Sequence, residues 1–450
     1  MKKVRVVLVV GGYIAVFLWA YSTAVSPHFA YDGYKLAWPD AKSMTWLTFL
    51  ALVPALFMPY SLPKPSAMIL WWLYLAAYIP SIFVPALSLT MPFEQLVPLE
   101  LCLLLCMGFL RLASSAKLLA IRRIQLSPAL FWSVFWMAWS AGIVFICMHF
   151  RLSILVANVA SLFAGGSEYT IRSAFVAELS QAGRILGYVT GQVSQALDPY
   201  LIAFGIVHRR RACLVAGIIG QLLVFMVTGL KIILFSSVFL AGLFLIMRRW
   251  QHWRRSFGLI LTSGVTALVL FSAAADMATK GVVFSSLVTR RTLAAPGLLT
   301  GFYFEHFSHV SHAGVGFRFS RNSGPYFGPP QEIGLAYFGS ADVDANANFW
   351  AEGFADFGIP GILGFTLLVG FMIWIYDSIF AAHSLELGAL MTAMPALNLS
   401  NTAPTTVLLT HGALATALLL YLSPWTSRDV REPESEAQEG ASEFSPALSS

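Results

Sequence analysis

The residues best suited to chemistry in this sequence are a few cations and a histidine–carboxylate group. Arg290 and Arg291 stand side by side at the head of RRTLAAPGLLTGFYFEHFS. Two guanidinium forks match a phosphate or diphosphate through paired N–H donors, which the single point charge of a lysine cannot supply. A solvated charge run accounts for adjacent arginines equally well. Lys231 follows Thr228-Gly229-Leu230 between two apolar runs. An ammonium group there either snorkels to a membrane interface or meets an anion such as a phosphate, and Gly229 would let a ligand approach the backbone closely. Arg184, Arg318 and Arg321 add positive charge to the same side.

Tyr303, Glu305 and His306 lie in YFEHFS, and His309 and His312 follow at three-residue intervals. Such a run forms a metal site only if carboxylate or thiolate partners converge on it. A histidine near its ordinary pKa can instead act as general base toward a sugar hydroxyl. Glu332 and Glu352 are the alternative bases, with Asp342 and Asp344 nearby. No Gly-rich phosphate loop, HExxH or GxSxG occurs. Nucleotide hydrolysis, metalloprotease and serine-hydrolase chemistry therefore have no foothold, and no metal or cofactor is expected.

The elements that must position these groups are set by composition. Of 450 residues, 58% are apolar or aromatic and 11% charged, against roughly 25% charged in soluble domains. A soluble protein is excluded. Uninterrupted apolar windows near 4–20, 44–60, 66–87, 97–112, 128–148, 184–207, 212–228, 231–247, 256–273, 356–378, 386–400 and 404–422 predict an all-α membrane bundle of about twelve spanning helices. The net charge of +6 reports topology rather than nucleic-acid binding, because short cytoplasmic loops collect Lys and Arg. With both termini inside, most of the 28 cations fall inside, including Lys64, Arg209 to Arg211 and the group from Arg248 to Arg255. Lys231, Arg290 and Arg291 then fall outside against the rule. The four cysteines are scattered through apolar runs and predict packing, not disulfides or thiolate metal sites.

Residues 1–423 form the expected membrane domain. Within it, 149–183 carries Ile171, Phe175 and Leu179 at four-residue spacing and reads as an interfacial amphipathic helix. The stretch of about 274–355 reads as one large late outer loop that houses the chemistry, since loops this long are usually functional or disordered and its aromatic content argues against disorder. The acidic, Ser-rich segment 424–450 reads as a disordered cytoplasmic tail.

The order TGLKIILFSS, RRTLAAPGLLTGFYFEHFS and NANFWAEGFADFGIPGILG resembles the Wzy-type polymerases of bacterial O-antigen and exopolysaccharide synthesis. More widely it resembles membrane glycosyltransferases of the GT-C kind that use polyprenyl-linked donors, the O-antigen ligases among them. The resemblance implies an inner-membrane enzyme that moves a growing glycan from undecaprenyl diphosphate onto a hydroxyl of a fresh lipid-linked repeat unit at the periplasmic face. It implies lipid-linked donor and acceptor, membrane lipids and a chain-length regulator protein as partners. Lys231 matches the family's basic residue after the Ser/Thr-Gly turn, Arg290 or Arg291 the arginine ahead of Pro-Gly, and Tyr303 the tyrosine after it. Asn346 and Asn348 match the Asn-rich approach to the late span. In the ligases a histidine precedes that Asn, whereas Ala347 stands here, which leaves the base open among His306, Glu332 and Glu352. The competing reading is a lipid-linked oligosaccharide flippase or other transporter, for which ionisable groups inside the spans are expected.

Overall fold

The computed structural model describes residues 2–122, 124, 126–149, 184–229, 231–249, 253–312, 328–341 and 343–424. Among the described residues every regular element is a helix. A hydrocarbon layer offers backbone groups no partners, and a helix satisfies its own. Among the described residues seven helices are long and apolar enough to cross a membrane: Lys3–Asp32, Ser66–Ser88, Phe93–Ser115, Pro128–His149, Arg211–Thr228, Trp253–Thr279 and Ile359–Phe380. Ala41–Phe57, Leu385–Leu399 and Ala413–Leu422 are apolar but shorter. The windows at 184–207 and 231–247 also fall on helix, and the last window is broken at Gly412, where φ is +70°. Among the described residues, then, seven of the expected crossings have the full length and hydropathy of a span. Their outer faces are apolar too. In Phe93–Ser115, Leu99, Leu103 and Leu110 are buried while Leu101, Leu105 and Leu112 are exposed, which suits a helix with lipid on one side and protein on the other.

The chain divides into two compact units, Met1–Lys117 with Leu245–Trp374 and Thr392–His411, and Leu118–Phe244 with Ile375–Met391 and Gly412–Ser450. In the first, Ser66–Ser88 is almost wholly buried and three of its aromatic donors are matched to backbone carbonyls. Trp71 Nε1 donates to Pro59 O at 2.8 Å, Tyr74 OH to Ala51 O at 2.6 Å and Tyr78 OH to Leu50 O at 3.0 Å. Buried aromatic donors need such partners. In the second, Ile146, Leu186, Val193, Val224, Phe225, Val227 and Ile233 form an apolar core.

Among the described residues four wide π-helical runs interrupt the helices, at Tyr21–Val25, Tyr74–Tyr78, Val193–Leu197 and Ser286–Ala294. The stretch expected to be one outer loop is largely helical. Residues 283–309 are continuous helix, followed by Pro329–Phe338 and Phe349–Phe357. Its glycines, prolines and polar side chains misled the reading, because they serve close helix packing and caps. The expected amphipathic helix of 149–183 and the tail fall almost wholly outside the described residues. All four cysteines are free thiols, three of them buried.

Candidate functional site

Helix 283–309 positions most of the candidate residues. Its start is capped by the buried Asp276 carboxylate, which accepts the backbone N–H of Phe284 at 2.9 Å and of Ser285 at 2.6 Å. The wide run Ser286–Ala294 carries Arg290 and Arg291. Pro296-Gly297 then seats the helix on Ile79–Ser88. A Cβ at Gly297 would stand 2.3 Å from Pro80 O, so only glycine permits this approach. This Pro-Gly is a packing device.

The two arginines differ. Arg290 is 15% exposed, and its Nη1 donates to Asp32 Oδ2 at 3.0 Å while Nε and Nη2 donate to Ser286 Oγ at 3.1 and 2.9 Å. Its guanidinium carbon lies 4.0 Å from the centre of the Phe29 ring. Arg290 is held by the protein, and Arg291 beside it is exposed. Tyr34 is buried nearby, which pushes its hydroxyl pKa up, with Arg290 opposing. A phosphate reaching this corner meets Arg291 first.

At the far end of the same helix, Pro329–Phe338 is strapped down by three contacts. Phe302 and Tyr337 stack with ring centres 4.0 Å apart, Tyr337 OH donates to Glu305 Oε2 at 2.8 Å, and His306 Nε2 lies 2.8 Å from Glu332 Oε1. Burial, and then the Glu305 carboxylate, push the Tyr337 hydroxyl pKa up, so Tyr337 acts as a donor. His306 and Glu332 are 18% and 35% exposed, hence reachable. With Nε2–H directed at the carboxylate, Nδ1 of His306 is the nitrogen that can accept a proton, the tautomer logic of an oriented general base.

Tyr303, Asn348 and Glu352 sit inside the protein. Tyr303 is fully buried, its hydroxyl 3.1 Å from Ala345 O and 3.2 Å from Glu352 Oε1. Asn348 caps Phe349–Phe357, its Oδ1 accepting from Trp350 N and Ala351 N at 3.1 Å. Its Nδ2 donates to Thr300 Oγ1 at 2.7 Å and Pro296 O at 3.2 Å. Glu352, 2% exposed, is the least accessible of the three candidate bases. Asn346 is exposed.

No family model, curated protein or solved structure matches this chain. The site therefore rests on its own geometry. Sixteen residues of helix separate Arg290 from His306, about 20–24 Å at a rise near 1.5 Å per residue. The structure thus does not gather the candidates at one point, but at two ends of one helix. Arg318 and Asp342, with Tyr326 and Phe327, lie outside the described residues, and of Arg184 and Lys231 only the backbone, at helix starts, is described. Among the described residues no three His, Cys, Asp or Glu side chains are grouped to hold a metal. Sequence reasoning missed Asp32, Ser81, Ser286 and Thr300, whose partners are as far as 267 positions away in the chain. No local pattern announces Asp32, Ser81 or Thr300, while Ser286 stands one helical turn before Arg290.

Proposed function

We propose that this protein is a membrane glycosyltransferase that polymerises polyprenyl-diphosphate-linked oligosaccharide repeat units at the periplasmic face of a bacterial inner membrane, with both termini cytoplasmic. The observation that carries the reading is the reachable His306–Glu332 pair, 2.8 Å apart, on the helix that also bears exposed Arg291. In the reaction, a hydroxyl of the acceptor sugar attacks C1 of the donor glycan. The C1–O bond to phosphate breaks, the diphosphate leaves with the bonding electrons, and the hydroxyl proton passes to His306 Nδ1. Glu332 holds the imidazole in the productive tautomer and stabilises the imidazolium that forms.

The two-ended layout fits this reaction class. An acceptor's own diphosphate lies one repeat unit away from its attacking hydroxyl, and the span of about 20–24 Å along the helix is the length of a few sugar rings. Arg291 then takes the acceptor's diphosphate through paired N–H donors. Glu352 has no role as base here, because it is buried against Tyr303. Phe302 and Tyr337 pack the strap rather than a sugar.

The test is a gel of lipid-linked glycans from deletion cells complemented with wild type or with His306→Ala. Single repeat units should accumulate in both the deletion and the variant. Full ladders in the deletion would refute polymerisation; full ladders from His306→Ala at normal membrane abundance would refute the base.

A further inference from the structure

One arrangement occurs in each of the two units. In the first, Glu100 lies within Phe93–Ser115 and is 1% exposed; its Oε2 accepts from Trp46 Nε1 at 3.0 Å. In the second, Asp198 is fully buried and its Oδ1 accepts from Trp139 Nε1 at 2.7 Å. In both, the other carboxyl oxygen is buried with no hydrogen-bond partner. Among the described residues no Lys, Arg or His lies within ion-pair distance of either group. An ionised carboxylate held in an apolar bundle by one neutral indole donor would keep several kcal/mol of unrecovered desolvation cost. A neutral acid avoids it.

For Asp198 the neighbours also argue for the proton. Gly220 faces it so closely that a Cβ there would stand 2.1 Å from Oδ1. The next residue, Gln221, donates Nε2 to Ser194 O at 2.5 Å, one turn before Asp198 in the wide run Val193–Leu197. That bond fixes the amide and leaves Gln221 Oε1 buried without a donor. An ionised carboxylate with one oxygen unpaired in this tightly packed turn would carry its desolvation cost, whereas a carboxylic acid does not. We propose that Glu100 and Asp198 are proton-binding sites, each a neutral carboxylic acid whose carbonyl oxygen takes a tryptophan N–H.

The surrounding ionisable groups do not compete. Near Glu100 is Tyr78, whose hydroxyl is bound to Leu50 O, and Lys42, a turn before Trp46, is exposed. On the helices packed against Asp198, Cys147, His149, Cys213 and Arg211 are each about 10 Å or more along the axis from the contact residues. Tyr421, on the helix packed against Val193–Leu197, is bound to Arg122 O.

Infrared difference spectroscopy of the purified full chain near neutral pH tests this. The wild type should show a protonated-carboxyl C=O stretch, shifted by D₂O, and Glu100→Gln and Asp198→Asn should each remove part of it. An absent band, or one that neither substitution alters, overturns the proposal. Where these variants are not monodisperse, Trp46→Phe and Trp139→Phe are read instead. Loss of the indole donor must move the acid carbonyl stretch to higher frequency, and a stationary band overturns the proposal equally.

Discussion

The two ends of helix 283–309 carry similar residue types put to opposite uses. At one end Arg290 is enclosed by Asp32, Ser286 and Phe29; at the other His306 meets Glu332 in a pair that solvent and ligand can reach. Beside each stands a counterpart of reversed role: exposed Arg291 next to Arg290, and buried Glu352 as the alternative to Glu332. The difference teaches that residue type and spacing find the chemistry-bearing segment, while burial and partner count separate braces from working groups.

The comparison breaks most sharply at His306. His306→Ala should lower polymerising activity by about 10²–10⁴-fold, the usual worth of a general base. The thermal midpoint should stay near wild type because the ring is partly exposed. Activity within tenfold of wild type would make the pair a strap only. Glu332→Gln should lose less, since it keeps the shape and only weakens the orientation of the ring.

Asn348→Ala should act on stability instead. Losing the cap costs about 1 kcal/mol, and the buried groups left without its Nδ2 add about 1–2 kcal/mol. Membrane abundance and thermal midpoint should drop while activity per folded molecule holds. A normal midpoint with lost activity would move Asn348 to the working side.

Arg291→Ala should weaken use of the lipid-linked acceptor by about ten- to hundred-fold in apparent KM, the equivalent of 1.5–3 kcal/mol for a charge-assisted hydrogen bond. Arg291→Lys should recover only part of this, because the fork is lost. Unchanged KM in both variants would return the residue to a solvated charge.

The smallest effect is expected at Arg290. Arg290→Ala should cost about 1 kcal/mol of stability, and Asp32→Asn a similar amount. The double variant should be no worse than the sum and better if the two act only through each other. A larger loss of activity from Arg290→Ala than from Arg291→Ala would invert the comparison.

Much of the helical plan was legible in the sequence, because apolar windows of spanning length leave little choice of secondary structure. Each window falls on helix, and Lys2–Ala20 begins within two residues of its window. The stretch 274–355 was misread because Gly297, Gly301 and Gly353 signal a loop by type, yet each lets two helices touch. A Cβ at Gly353 would stand 2.6 Å from Gly361 O. At the site, the reactive segment was legible but the split between Arg290 and Arg291 was not, since Asp32 lies 258 residues away. Glu100, by contrast, stands in plain sight as a carboxylate in the run LELCLLLC, though its Trp46 partner lies 54 positions away.

The wide run Ser286–Ala294 has a consequence for how this chain tolerates insertions and deletions. A π-helical run holds surplus residues relative to an ordinary helix, so deleting one there would leave a backbone able to close its hydrogen bonds. Residues downstream would then keep their facing, because the run absorbs the change in length where it occurs. A deletion in the ordinary helix of 295–309 has no such slack: everything downstream turns by about 100°, the angular step of one residue, and His306 leaves Glu332. Single-residue length changes should therefore be accepted within 286–294 and rejected between 295 and 306, even where substitutions in the two stretches cost the same.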